Sequence, residues 1–154
     1  MTIAASVAGY LSRAGVPYDV IAHTRTSNSS LSAEAAHVPG DQLAKCVMLE
    51  DDGGYVMAVV PASRRVDLGA IHERLGRSLG LATEGELARL FADCEPGAAP
   101  PLGNAYGIDC IVDDGLAAEA DIYFEGGDHR ALVHVSGRDF LKLMGNAPRE
   151  RISH

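Results

Sequence analysis

Lys45 is the first residue whose placement asks for chemistry. It lies within QLAKCVMLE (residues 42–50), a run whose interior is otherwise apolar. Strand alternation sets Leu43, Lys45, Val47 and Leu49 on one face and Ala44, Cys46 and Met48 on the other. Both faces are then mostly apolar, as in a strand covered on two sides. Removing an ammonium from water is costly unless something compensates it. A lysine there either snorkels to water at a strand end or sheet edge, or has a use.

A second candidate is DCEPGAAPPLG, residues 93–103, which holds three prolines and two glycines. Such a backbone is stiff and irregular, yet Gly97 lets it approach another molecule closely. It is suited to aim peptide N–H groups at a carbonyl or oxyanion. Pro101 fixes its own φ and restrains Pro100. The simpler reading is a rigid connector capping a sheet. The loop HTRTSNSS (23–30) offers hydroxyls and an amide, enough to hold a small polar ligand or merely to turn the chain.

The histidines and cysteines argue against two familiar chemistries. His129 and His134 are five apart across a turn and a strand, which is no standard zinc spacing, and no CxxC accompanies them. No metal site is expected. A thiol hydrolase would pair Cys94 with His23 or His129. Asp93 and Glu95 flank Cys94, however, and disfavour its thiolate. The chain has no GxGxxG, no GxxxxGK[ST] and no DxD-type loop, so no nucleotide or other cofactor is expected.

The bulk properties narrow the class. The chain has 154 residues, 47% hydrophobic and 22% charged, which fits a single globular domain over 1–154. Its formal net charge of −8 and the absence of any basic stripe beyond Arg64–Arg65 exclude extended DNA or RNA backbone binding. No apolar stretch approaches the ~20 residues of a membrane span. The N-terminal stretch lacks a basic n-region and reads as a helix, not a signal peptide. Three cysteines without a pairing pattern point to a reducing compartment, and a cytoplasmic location is expected.

The elements that must position these groups follow from periodicity. Residues 2–14 carry Ile3, Val7, Tyr10, Leu11 and Ala14 at helical spacing, closed by Gly15 and Pro17. Strands are expected at VPYDVIAH, the Lys45 run, YVMAVVP, AYGIDCIVD, ADIYFEG and RALVHVS, with DDGG and GDH as turns. Helices are expected at LSAEAAH with Ser30 or Ser32 as cap, from Asp67, after a Thr83/Glu86 capping box, and after Ser136 up to Gly145. The tail 146–154 is expected to fray. Several strands are hairpin-linked, which argues for an α+β fold around a mixed, largely antiparallel, barrel-like sheet with helices packed around it.

Three motifs occur in a telling order: LAKCVMLE with its lysine, GAAPPLG with glycine and proline four apart, and GGDH. In these the chain resembles the YbaK/prolyl-tRNA synthetase-associated domain, the free-standing relatives of the editing domain inserted in bacterial prolyl-tRNA synthetases. The likeness runs from YDVIAHT to SGRDFLKL. It implies hydrolysis of amino acids wrongly esterified to tRNA, without metal or other cofactor. It places the family's lysine on Lys45, its glycine and proline on Gly97 and Pro101, and its late histidine on His129. Relatives often carry a polar residue where this chain has Cys46.

On this reading Lys45, Gly97 and Ala98 carry the chemistry, with N–H groups around 97–99 stabilising the oxyanion. Lys45 would hold the terminal phosphate or ribose, nearby negative charge offsetting its burial. His23, Thr26, Ser27, Cys46, Pro101 and His129 would bind substrate. The expected partner is the acceptor end of an aminoacyl-tRNA, alone or in a synthetase–tRNA complex. The substrate is expected to be a small amino acid such as alanine or cysteine on proline tRNA. The alternative is a non-catalytic module of the same fold that binds a tRNA end or a small metabolite.

Overall fold

The computed structural model describes residues 3–154, the side chain of Ser30 excepted. The Thr2 end of the first expected helix lies outside the described residues. In chain order the main elements are α1 (Ala5–Ala14), β1 (Asp19–Ala22), α2 (Ser29–Ala35), β2 (Leu43–Asp51), β3 (Gly54–Pro61) and α3 (Leu68–Leu75). They continue with β4 (Gly80–Leu81), α4 (Glu84–Leu90), β5 (Asp109–Asp113), α5 (Asp114–Ala117), β6 (Asp121–Glu125), β7 (Ala131–Ser136), α6 (Gly137–Met144) and β8 (Arg149–Glu150).

Local chemistry explains most of the boundaries. The Thr83/Glu86 capping box opens α4, and Ser136 opens α6 by accepting the Asp139 N–H at 3.0 Å. Asp67 caps α3 in the same way. The cap of α2 is Asn28, whose side chain accepts the Leu31 N–H, so the helix starts earlier than Ser30 or Ser32 would place it. Asn28 is as strong a cap as serine, and a serine run leaves the choice open from sequence alone.

The strands lie in one sheet in the order β1-β7-β6-β2-β3-β5-β8, with β4 paired to the far part of β2. The sheet is mixed rather than largely antiparallel. β1/β7, β6/β7, β2/β3 and β2/β4 are antiparallel, whereas β2/β6, β3/β5 and β5/β8 are parallel. The barrel is not closed, because β1 and β8 stand at opposite ends of the order. Side-chain alternation encodes which face is buried but not strand direction, so the parallel joins had no sequence signal.

Both faces are covered, as the two-sided apolar pattern of β2 requires. One face carries Ala44, Met48, Met57, Val59, Phe124 and Val133 against Val7 and Leu11 of α1 and Phe140 and Leu143 of α6. The other packs Leu49, Val56, Ala58 and Val60 against Ile71 of α3, and Leu43 against Ala33 of α2. The tail does not fray. β8 pairs with β5, Ile152 is fully buried, and Asp113 accepts both the Ile152 N–H and the Ser153 hydroxyl. Its polar residues conceal one apolar anchor, Ile152. Among the described residues no helix is long and apolar enough to cross a membrane.

Candidate active site

The site forms where the sheet parts. β2 and β6 run together only over Leu43–Ala44 against Tyr123–Phe124. One step further in that register Lys45 would face Glu125, but the ladder stops there. β2 next pairs on that edge where the Met48 carbonyl accepts the Ala82 N–H and Leu49 and Glu50 meet β4. The proline-rich loop after α4 closes on this opening: the Glu95 N–H donates to the Gly127 carbonyl at 2.7 Å.

Gly97 sits at the tip of that loop with φ +79°, left-handed backbone that side-chain-bearing residues rarely adopt. A Cβ there would lie 3.3 Å from His129 Nε2 and 3.6 Å from the Ser27 carbonyl. Gly97, His129 and Ser27, three of the expected site residues, are therefore in one place. His129 Nε2 donates to the Pro96 carbonyl at 2.6 Å, and the Thr26 N–H donates to the His129 carbonyl at 3.2 Å.

Ala98 departs from its expected role. Its N–H donates to the Glu95 carbonyl at 3.0 Å and its side chain is fully buried, so it holds the turn together. Among the described residues the N–H groups of Gly97 and Ala99 have no acceptor, and these are the donors open to a ligand. Pro101 is buried and lines none of the cavities described below; it braces the loop from beneath.

The loop walls a cavity of about 640 Å³ together with Cys46 and Met48 of β2, Leu87 and Ala88 of α4, and Phe91 just after that helix. Its floor is apolar and its rim carries Glu84, Glu95 and the Gly97 backbone. A second, more open cavity of about 610 Å³ borders Thr26 and Ser27, against Leu31 and Glu34 of α2. Thr26 Oγ1 lies 2.6 Å from Ser32 Oγ, which fixes the segment against α2.

Lys45 and Cys46 part company across β2. Cys46 lines the 640 Å³ cavity, whereas Lys45 leaves the opposite face, beside Leu43 and the register partner Val60. Lys45 is half-buried and, among the described residues, makes no hydrogen bond or ion pair. Among the described residues no carboxylate supplies the compensating negative charge expected for it. Burial and then the like charge of Arg65 both lower its pKa, so the ammonium sits in a place that favours an incoming anion.

The largest omission of the sequence reading is Glu125. It is 1% exposed, and among the described residues neither carboxylate oxygen has a hydrogen bond of normal geometry, although the Ser32 hydroxyl is near enough to favour the carboxylate. His129 Nδ1 stands 3.9 Å from Oε1, and His23 acts on the same carboxylate. His23 Nδ1 donates to the Thr24 carbonyl at 2.7 Å, leaving Nε2 buried and unpartnered. The only sequence signal was an acid ending an apolar strand, four residues before His129.

The thiol alternative fares poorly in this geometry. Among the described residues no three His, Cys, Asp or Glu side chains gather as a metal cage. His134 is engaged by Asp121 at 2.9 Å and stacks on Tyr123. Cys94 contacts Tyr106 and Asp93, with no histidine beside it, and burial raises its thiol to about 11. A thiol so protonated is a poor nucleophile at neutral pH. Cys94→Ser, nearly isosteric, is expected to keep activity within about threefold, since a residue off the reaction path costs little. Loss of turnover in a folded variant, with a trapped thioester in the parent, would reverse that assignment.

Comparison with known proteins decides the family. The model of the aminoacyl-tRNA editing domain matches residues 23–143. The chain belongs to the aminoacyl-tRNA editing domain family. The matched span runs from His23 to Leu143 and so contains Lys45, the Gly97 loop, Glu125 and His129.

Solved structures share this editing-domain fold. One is a candidate trans-editing enzyme for prolyl-tRNA synthetase, 24% identical, with a TM-score of 0.85 over 97% of this chain and 95% of that one. Another is the hypothetical protein APE2540, 23% identical, TM-score 0.85, covering 97% and 99% of the two chains. A third is a longer protein of Marinobacter aquaeolei VT8, 22% identical, TM-score 0.77, in which 96% of this chain matches 30% of that one. No curated protein matches this chain significantly.

Proposed function

We propose that this editing domain is an aminoacyl-tRNA deacylase acting in trans, which removes a small amino acid, alanine first and cysteine next, from proline tRNA. One observation carries the reading: two acceptor-free N–H groups, at Gly97 and Ala99, border an apolar cavity whose β2 wall is Cys46, the residue after a half-buried lysine that has no ion-pair partner among the described residues. The description of the 24% identical neighbour as a candidate trans-editing enzyme supports the class of reaction.

The chemistry asks little of the protein. An aminoacyl ester has an activated carbonyl, so water needs positioning and the developing oxyanion needs donors. The amino-acid side chain enters the cavity between Cys46, Met48 and Phe91. The Gly97 and Ala99 N–H groups face the ester oxygen. Water adds to the carbonyl carbon, the carbon–oxygen bond to the ribose breaks, and the ribose leaves as its hydroxyl with the free amino acid. Lys45, with Arg65 behind it, takes the phosphate or ribose of the terminal nucleotide. The family resemblance adds a terminal-ribose hydroxyl of the substrate as an aid to proton transfer. A net charge of −8 restricts contact to the acceptor end, and a synthetase–tRNA complex is compatible with that.

A panel of proline tRNAs charged with alanine, cysteine, serine or proline tests the proposal by release of free amino acid. Release of alanine with proline spared is expected. Binding of the charged tRNAs without release would instead establish a non-catalytic module. A cavity separates substrates one methylene apart by only ~1–3 kcal/mol, so cysteine and serine are expected to be slower substrates rather than inert ones.

Deacylation is also expected to survive chelation, because the ligand types and spacing around His23, His129 and His134 do not suit zinc. Dialysis against a chelator followed by the same release assay checks this. Abolished activity that returns with Zn²⁺ would contradict it.

A further inference from the structure

The proposed mechanism does not use Glu125, yet a buried carboxyl without a well-formed hydrogen bond is costly to keep. Its neighbour explains what it is for. A carbonyl can only accept, so His129 must carry its proton on Nε2 to donate to Pro96. A neutral ring then turns the Nδ1 lone pair toward Glu125 Oε1, 3.9 Å away and equally buried. Two lone-pair-bearing atoms facing each other out of water repel. A proton on either atom removes the conflict and leaves the Nε2–H bond to Pro96 intact.

We propose that Glu125 and His129 hold one proton between them and that Glu125 is thereby a positioning residue for the Gly97 loop. The coupling is mechanical. The proton keeps His129 as an Nε2–H donor, that donor holds the Pro96 carbonyl, and the next residue is Gly97. His129 is set for this by its own backbone, at φ +57° in the turn between β6 and β7. Asp128 pins the turn by accepting the Arg130 and Ala131 N–H groups at 2.8 and 3.1 Å. The inference rests on the deacylase reading only in making the loop matter for hydrolysis; the latch itself does not depend on it.

The groups facing the pair are few. Within its own turn Asp128 opposes a carboxylate at Glu125, whereas His23 beyond β1 and Ser32 of α2 favour one. On the loop side Glu95 lies beyond Pro96, paired with Arg25 at 2.7 Å. Burial outweighs the favourable contacts and raises the Glu125 pKa above the usual carboxylate range. The sign follows: the proton is fully present at low pH and is lost as pH rises through that raised value. The latch is accordingly closed on the acid side and released on the alkaline side.

Two variants of the full chain, Glu125→Gln and Glu125→Leu, test the inference by two readouts. The first is the ¹⁵N shift of the His129 ring nitrogens, which reports the tautomer without any tRNA. The second is the pH profile of single-turnover hydrolysis of alanine esterified to proline tRNA. The Gln amide donates to Nδ1 at every pH. It is expected to preserve the Nε2–H form, hold hydrolysis near the parent rate, and remove the alkaline fall expected of the parent.

The Leu side chain offers no donor and is expected to abolish the Nε2–H preference and slow hydrolysis about tenfold or more, as loss of a positioning contact does. Parent-like tautomer and rate in Glu125→Leu would overturn the proposal. So would a Gln variant that keeps its tautomer but loses turnover, because Glu125 would then act on the substrate itself. Should Glu125→Leu fail to fold, the Gln variant decides, and a parent-like alkaline fall in it counts against the latch. Should the parent hydrolyse nothing, the deacylase reading fails alone and the ring shifts still judge the latch.

Discussion

Lys45→Ala is expected to lower single-turnover hydrolysis of alanyl-tRNA by ~10²-fold or more, the usual cost of losing a positioning contact near a reacting ester. Folding is expected to hold or improve, because the change removes a half-buried charge with no partner and relieves its repulsion by Arg65. Lys45→Arg is expected to restore little. A planar fork replaces a compact point charge at a site where Arg65 already contributes a guanidinium. Thermal melts run beside the kinetics separate the two effects. A lysine that merely snorkels would give the opposite pattern, with the parent rate and a small change in stability in the Ala variant.

Gly97→Ala is the second large effect. A side chain at φ +79° is strained, by ~1–2 kcal/mol for left-handed backbone. The added methyl also meets His129 Nε2 at 3.3 Å, against the bond that holds Pro96. The loop must shift, and with it the Gly97 and Ala99 N–H groups. Hydrolysis is expected to fall by ~10²-fold or more, the scale of a lost oxyanion donor. The loss is expected in kcat, while affinity for uncharged tRNA stays close to that of the parent. Loss of affinity with kcat unchanged would make the loop a tRNA contact and not an oxyanion site.

Much of the fold was legible because its signals are local. The capping box at Thr83, the Ser136 cap and the two-sided apolar pattern of β2 each report a decision made within a few residues. The parallel pairing of β3 with β5 is not local: it is made across the span from Ala62 to Ile108, and no periodicity encodes it. The tail was misread for a related reason. Ile152 is a lone apolar residue among charges, and only Asp113, Arg64 and the end of β5 show what it anchors.

The site was legible in part. The motif residues Gly97 and His129 meet through the bond from the His129 ring to the Pro96 carbonyl, and Ser27 joins them. Glu125 was invisible because an acid after Phe124 looks like the polar end of a strand, and its burial comes from α2 and the loop around His23. Lys45 was singled out for the right oddity but credited with a negative neighbour. The fold supplies Arg65 instead, and that makes an anionic ligand the natural partner.

Single-turnover release of alanine from alanyl-tRNA for proline, with the parent chain in excess over substrate, is the most direct measurement. The expected result is free alanine at a rate far above spontaneous ester hydrolysis, with correctly charged prolyl-tRNA left intact under the same conditions. Alanine release no faster than in buffer, from a folded protein shown to bind the charged tRNA, would contradict the assignment of a deacylase.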